Sequence, residues 1–303
     1  SSKLKSNSIG GVFLIIFLFY EYVIVNQNNY LFLFLFSIFL IGFLSDTKKL
    51  NNVSLRFFLQ IILIVFFVSI TGIEIKNTRI DHLDIILSNK IANIIFVGFC
   101  LMVLLNGGNF IDGLNGLLLK YFLIVYLFIL FNFADNSFVN RDFLLNLSII
   151  LSIILLFNLF GLLYMGDSGA YLLSILSGIY LINFSYNNDY ISPFFIILLL
   201  WYPCFELLFS MIRRFKNKSK TYKPDSNHLH QFIYHFIKKK SSFKDNIMHF
   251  YTTLLINSYN LLIFIFAKNF IYSSTALILI IILNIFVYIL SYVFFEKKYQ
   301  RNY

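Results

Sequence analysis

The sequence predicts an all-α fold, a polytopic transmembrane helix bundle, on three observations. Of its 303 residues, 59% are hydrophobic and only 13% charged, which is far too apolar for a soluble domain of that length. Apolar runs long enough to cross about 30 Å of hydrocarbon as helices recur along the whole chain, whereas alternating barrel strands of roughly ten residues do not. Lys and Arg are partitioned between alternate ends of those runs, which is the signature of an oriented membrane protein.

Taken in order, the apolar spans fall at about 11–26, 30–45, 57–72, 91–106, 116–134, 143–163, 169–187, 193–212, 250–267 and 274–295, ten helices in all. They form a single membrane-embedded domain over 1–303, with one long polar loop at about 213–249 that has room for a short amphipathic helix. The net charge of +10 is explained by membrane orientation and calls for no nucleic acid. With the N-terminal end placed inside, inside ends hold 19 of the 24 Lys and Arg residues and outside ends hold 5, namely Lys76, Arg79, Lys90, Arg141 and Lys268. Both termini are therefore expected on the cytoplasmic side. Cys100 and Cys204 lie within apolar runs and fit packing, not a disulfide or a thiolate metal site.

Four polar clusters fall on that same side. They are Gly42-Phe-Leu-Ser-Asp46-Thr-Lys-Lys49, Asn106-Gly-Gly-Asn-Phe-Ile-Asp112-Gly-Leu-Asn-Gly116, Met165-Gly-Asp167-Ser-Gly169, and Lys223-Pro-Asp225-Ser-Asn-His228-Leu-His230-Gln231. Each has a plain explanation when it stands alone. Asp46 with Lys48 and Lys49 reads as a solvated loop, and the Asn/Gly stretch as a tight hairpin whose glycines ease the turn. Asp167 reads as an N-cap, and the two histidines as surface residues. Their convergence on one face favours a site instead. Carboxylates and amides are hard oxygen ligands for Mg²⁺ or Mn²⁺ held together with phosphates, and histidines beside Arg213, Arg214, Lys216, Lys218, Lys220 and Lys223 suit a phosphate-rich substrate. Glu74, Asp81, Asp84, Asp135, Asp142 and Asp189 fall in or beside outside loops and read as solvated.

The succession G-F-x-x-D, N-x-x-N-F-x-D-G-L-x-G-L, M-G-D-x-G and P-D-x-x-H-L-H resembles the polyprenyl-phosphate N-acetylhexosamine-1-phosphate transferases, the MraY/WecA-like superfamily of glycosyltransferase family 4. Residues 3–11 are similar to the basic, Gly-Gly-ending loop that follows the first helix in that family; if that resemblance holds, the ten spans are expected to be its second to eleventh helices, without the first. The resemblance implies transfer of a sugar 1-phosphate from a UDP-N-acetylhexosamine to undecaprenyl phosphate with Mg²⁺ (or Mn²⁺) as cofactor. UMP would be released, at the cytoplasmic side of a bacterial inner membrane, in the synthesis of an envelope polysaccharide. Homodimers occur in the superfamily.

Carried over residue by residue, Asp167 is the expected principal metal ligand, with Asn109 and Asp112 lining the same pocket and Asp46 near the lipid phosphate. His228 and His230 join Asp46 and Asp112 as expected catalytic residues. Asn106, Asn109, Asn115, Asp225, Lys48 and Arg214 are expected to contact substrate. The chain departs from the family where Ser45 replaces the first Asp of an Asp pair, Asn115 a second Asp, and Gln231 a third histidine. Ser45 excludes a covalent phospho-enzyme at its position and favours direct attack by the lipid phosphate. An inactive family member, a secondary transporter with a midplane site and a scaffold subunit remain as alternatives.

Overall fold

The structure, a computed structural model, describes residues 8–133, 139–216, 227–240 and 244–300. Thirteen α-helices, and no strand, make up the regular structure of the described residues. They are α1 (Gly10–Phe19, continued by a π-helical segment Tyr20–Val25), α2 (Asn29–Asp46), α3 (Val53–Thr71), α4 (Asp81–Leu87), α5 (Lys90–Ile111), α6 (Leu117–Asn132) and α7 (Arg141–Leu159). Then come α8 (Gly166–Tyr186), α9 (Pro193–Leu199), α10 (Trp201–Lys216), α11 (Leu229–Lys240), α12 (Asp245–Lys268) and α13 (Ser274–Gln300).

Among the described residues seven helices are long and apolar enough to cross a bilayer, or eight if the bent pair α9–α10 counts as one span. The shorter apolar helices Gly10–Val25 and Leu117–Asn132 lie at the positions of the other two expected spans but fall short of that length. Their outer surfaces show why the chain needs lipid. On α3, Phe58, Ile62 and Phe66 recur every four residues and are all more than 60% exposed, while Gln60, Ile64 and Phe67 turn inward. A stripe of that kind would aggregate in water and is at home in hydrocarbon. The chain is a multi-pass membrane protein.

α8 is the centre of the bundle. It carries the largest share of buried residues of the long helices and packs against α2, α5 and α1. Small residues bring those neighbours close. A methyl group on Gly42 of α2 would stand 2.5 Å from the Ser168 amide nitrogen, and one on Gly107 of α5 would stand 2.7 Å from the carbonyl carbon of Pro203. Gly42→Ala is therefore expected to push α2 off α8, at about 1–3 kcal/mol of strain. A lowered thermal midpoint in detergent would show it, and an unchanged midpoint would remove Gly42 from the contact.

Two sequence expectations change here. The span expected at 193–212 is not straight, because α9 and α10 meet at a 75° bend. Pro203 lies in the first turn of α10 and has no N–H to offer the preceding helix, while the uninterrupted apolar run of 193–201 hides the break. The stretch 106–116 is not a hairpin throughout either. Residues 106–111 complete the last turns of α5, and only 112–116 turn, with Gly116 in the left-handed region (φ 82°). Gly107 and Gly108 permit close helix packing against Pro203 and Ser174, a different use of glycine from the turn expected of them.

α10 is built inside out. Its buried stripe is Pro203, Glu206, Leu207, Ser210 and Arg214, while Met211, Ile212 and Phe215 are exposed. At the opposite end of the bundle Arg79 donates to the carbonyls of Tyr272 (2.8 Å) and Tyr190 (2.9 Å), fastening the loop after α3 to the segments before α9 and α13.

Candidate functional site

Two polar assemblies form where α2 and α5 end and α3 and α8 begin, beside α10. In the first, Asp46 closes α2 and its carboxylate reaches the start of α8. One oxygen, Oδ1, accepts the Asp167 N–H at 2.8 Å, while Oδ2 accepts the Ser168 N–H at 3.1 Å and the Ser168 hydroxyl at 2.7 Å. The first amides of a helix have no partner within it and carry its positive dipole end, so a carboxylate placed there is doubly favoured. Asp46 thus caps α8 from another helix. α8 has no side-chain cap of its own, so Asp167 is not the N-cap that a plain reading assigns.

Asp167, relieved of capping, turns elsewhere. Its Oδ2 accepts from the Ser45 hydroxyl (2.6 Å) and from Arg56 Nη1 (2.6 Å), and Arg56 also donates to Ser45. The side chains of Arg56 and Asp167 are partly exposed, at 17% and 27%, so the pair is reachable from the rim of the bundle. Gly166 precedes Asp167 in the left-handed region (φ 67°), where a side chain would strain the backbone and run into the Asp46 carboxylate.

Asp112 follows the last residue of α5 and retains some exposed surface. Burial, with the Asp167 and Asp46 carboxylates nearby, pushes its pKa well above the ordinary carboxylate range. Asp112 thus shares this end of the bundle with Asp46 and with the Arg56–Asp167 pair.

The second assembly surrounds the two histidines. His228 Nδ1 hydrogen bonds to Glu206 Oε1 (2.9 Å) and lies 3.3 Å from Ser210 Oγ, and Tyr288 OH donates to Glu206 Oε2 (2.7 Å). The His228 and His230 rings stack at 5.4 Å and 8°. Phe110 of α5 meets His228 edge-on at 5.2 Å, and Arg214 lies over Phe110 at 5.3 Å. Neither nitrogen of the buried His230 has a hydrogen-bond partner among the described residues. Burial lowers the pKa of His230 to about 4, so at neutral pH its ring is uncharged. The assemblies adjoin, since a methyl group on Gly113, next to Asp112, would lie 3.3 Å from His230 Nε2.

The remaining expected residues are placed less pointedly. Asn106 donates back to the Met102 carbonyl of its own helix (2.9 Å), and the Asn115 backbone N–H donates to His249 Nδ1 (3.2 Å). The side chains of Asn109 and Asp112 make no hydrogen bond among the described residues, and the exposed Lys48 occupies a left-handed turn residue (φ 60°). Asp225, with Lys218, Lys220 and Lys223, lies outside the described residues. Sequence reasoning used Arg56 only to orient the chain and passed over Glu206, Tyr288 and His249. A carboxyl inside the apolar run at 193–212 was a usable signal, because an ionisable residue at membrane depth needs a partner and a purpose.

These features belong to a multi-pass membrane protein with a polar site at one end of its helices. The family model for glycosyl transferase family 4 matches residues 28–185, over half of the chain, and the chain belongs to that family, whose members are in general polyprenyl-phosphate sugar-phosphate transferases. No curated protein matches it. The matched region contains Asp46, Arg56, Asp112 and Asp167, and the histidine assembly follows it.

Proposed function

We propose that this protein transfers the 1-phosphate of an N-acetylhexosamine, or a related amino sugar, from a UDP-sugar to undecaprenyl phosphate at the cytoplasmic face of a bacterial plasma membrane. The products are undecaprenyl-diphosphate-sugar and UMP, and the lipid-linked sugar starts an envelope polysaccharide such as O-antigen. The single observation that carries this reading is the meeting of Asp46, Arg56, Asp112 and Asp167 with the histidine pair at one end of a lipid-facing bundle. A lipid arriving sideways and a nucleotide arriving from water can both reach such a place.

A phosphate oxygen of the lipid attacks the β-phosphorus of the UDP-sugar, a new P–O bond forms, and the bond from that phosphorus to the bridging oxygen breaks as UMP departs. Both reactants are anions, so the chain must offer positive charge and donors. Arg56 and Arg214 would supply charge, and the histidine assembly would meet the nucleotide sugar. Ser45, at a position where many relatives carry an aspartate, donates to Asp167 and offers no carboxylate nucleophile, which supports one-step transfer.

Among the described residues no group of three or more His, Cys, Asp or Glu side chains is spaced to hold a metal alone. Mg²⁺ is ordinarily held by one or two carboxylates together with substrate phosphates. The hard oxygens of Asp167, Asn109 and Asp112 fit that role. When bound, Mg²⁺ would neutralise charge on the phosphates being exchanged. The test offers purified protein a panel of UDP-sugars with undecaprenyl phosphate and Mg²⁺. UMP release with at least one amino sugar is expected, and no release with any of them would sink the proposal.

A further inference from the structure

We infer that Glu206 is the positioning residue of the histidine pair, fixing the proton of His228 on Nδ1 so that Nε2 is the acceptor the ring presents to a hydroxyl of the nucleotide sugar. The inference rests on the transferase reading for its substrate, but not for its geometry. Glu206 is fully buried in α10, Tyr288 is buried in α13, and His228 immediately precedes α11. One carboxyl therefore joins three elements.

Hydrogen-bond direction follows from the partners. Tyr288 OH donates to Glu206 Oε2, leaving Oε1 to accept from His228 Nδ1 at 2.9 Å. A carboxylate can only accept, so Nδ1 carries the hydrogen and the chemistry of the ring passes to Nε2. The same carboxylate-to-imidazole contact sets tautomer and orientation in metal-bound and catalytic histidines generally. Packing then holds the ring plane, with Phe110 edge-on to one side of the motif and His230 stacked at 8°. A carboxyl inside an apolar helix is costly unless it is paired, and Glu206 has two partners.

The consequence is a division of labour. His230 is uncharged at neutral pH and supplies shape and contact beside Gly113. His228, backed by a carboxylate, is the ring held in one tautomer and one orientation, with Nε2 as its acceptor.

Two measurements test the assignment. The first is ¹⁵N NMR of histidine-labelled protein in detergent, with the His228 signals identified by their loss in His228→Gln. Wild type should show the Nδ1–H form, and Glu206→Ala should show a mixture of both tautomers. An unchanged tautomer in Glu206→Ala overturns the inference, and this readout stands whether or not any UDP-sugar is turned over. The second is a double-mutant cycle on UMP release. Glu206→Ala alone should lower kcat/KM for the UDP-sugar by about 30- to 100-fold while changing KM for undecaprenyl phosphate less than about twofold. Added to His228→Ala, it should cost less than about threefold more, since a residue acting through His228 has nothing left to position. Full additivity overturns the inference.

If Glu206→Ala does not fold, Glu206→Gln takes its place, because its amide can accept from His228 and engage Tyr288 in the same geometry. It should retain the Nδ1–H tautomer, and loss of that form in the isosteric variant would likewise overturn the assignment. Wild-type protein that shows the tautomer but releases no UMP would refute the transferase reading alone.

Discussion

Asp167→Asn is expected to lower turnover by about 10³-fold or more while the protein still inserts and purifies normally. The exchange keeps size and one acceptor oxygen, and the amide can still accept from Ser45 in place of the 2.6 Å contact. What it removes is the charge that faces Arg56 and that a hard cation requires. Groups that stabilise charge at a reacting phosphate typically contribute several kcal/mol to the barrier, whereas a partly exposed ion pair contributes on the order of 1 kcal/mol to stability. A large loss of rate with a nearly unchanged thermal midpoint is therefore the expected pairing. Near-normal turnover in saturating Mg²⁺ would take Asp167 out of the site.

Asp46→Ala should fail differently, losing stability and activity together. Removing the carboxylate strips the Asp167 and Ser168 amides and the Ser168 hydroxyl of their acceptor. Hydrogen bonds to a charged group contribute roughly 1.5–3 kcal/mol each, and an orphaned donor costs a similar amount. A loss of about 3 kcal/mol or more is expected, with α8 fraying at its first turn and turnover falling at least 10²-fold because Asp167 sits on that turn. Amide exchange at 167 and 168 should quicken. Unchanged exchange and midpoint, with turnover lost, would return Asp46 to a purely chemical role beside the lipid phosphate.

Much of the architecture was legible because membrane helices announce themselves by length and apolarity. The ten expected spans correspond in position to α1 with its π-helical end, α2, α3, α5, α6, α7, α8, the α9–α10 pair, α12 and α13. α4, a seven-residue helix, was missed because its DHLDIIL sequence is too short and too polar to register as a period. The convergence of the polar clusters was readable from the Lys and Arg partition, since charge at helix ends reports orientation directly. Partners were not readable. Nothing in Asp46 distinguishes a carboxyl that caps a distant helix from one that faces solvent, and 121 residues separate it from the Asp167 amide it accepts. Glu206 and Tyr288 are likewise 82 residues apart, and only the folded bundle joins them to His228.

The cap supplied by α2 to α8 also limits how this chain can be recombined with relatives. A chimera drawing α2 from one parent and α8 from another would unite a donor helix and an acceptor carboxylate selected in different backgrounds. An α2 from a parent without glycine at the place of Gly42 would block the approach on which the cap depends. Segments 42–46 and 166–169 behave as one inherited block despite their distance in sequence, and crossover points for swapping substrate specificity belong outside both.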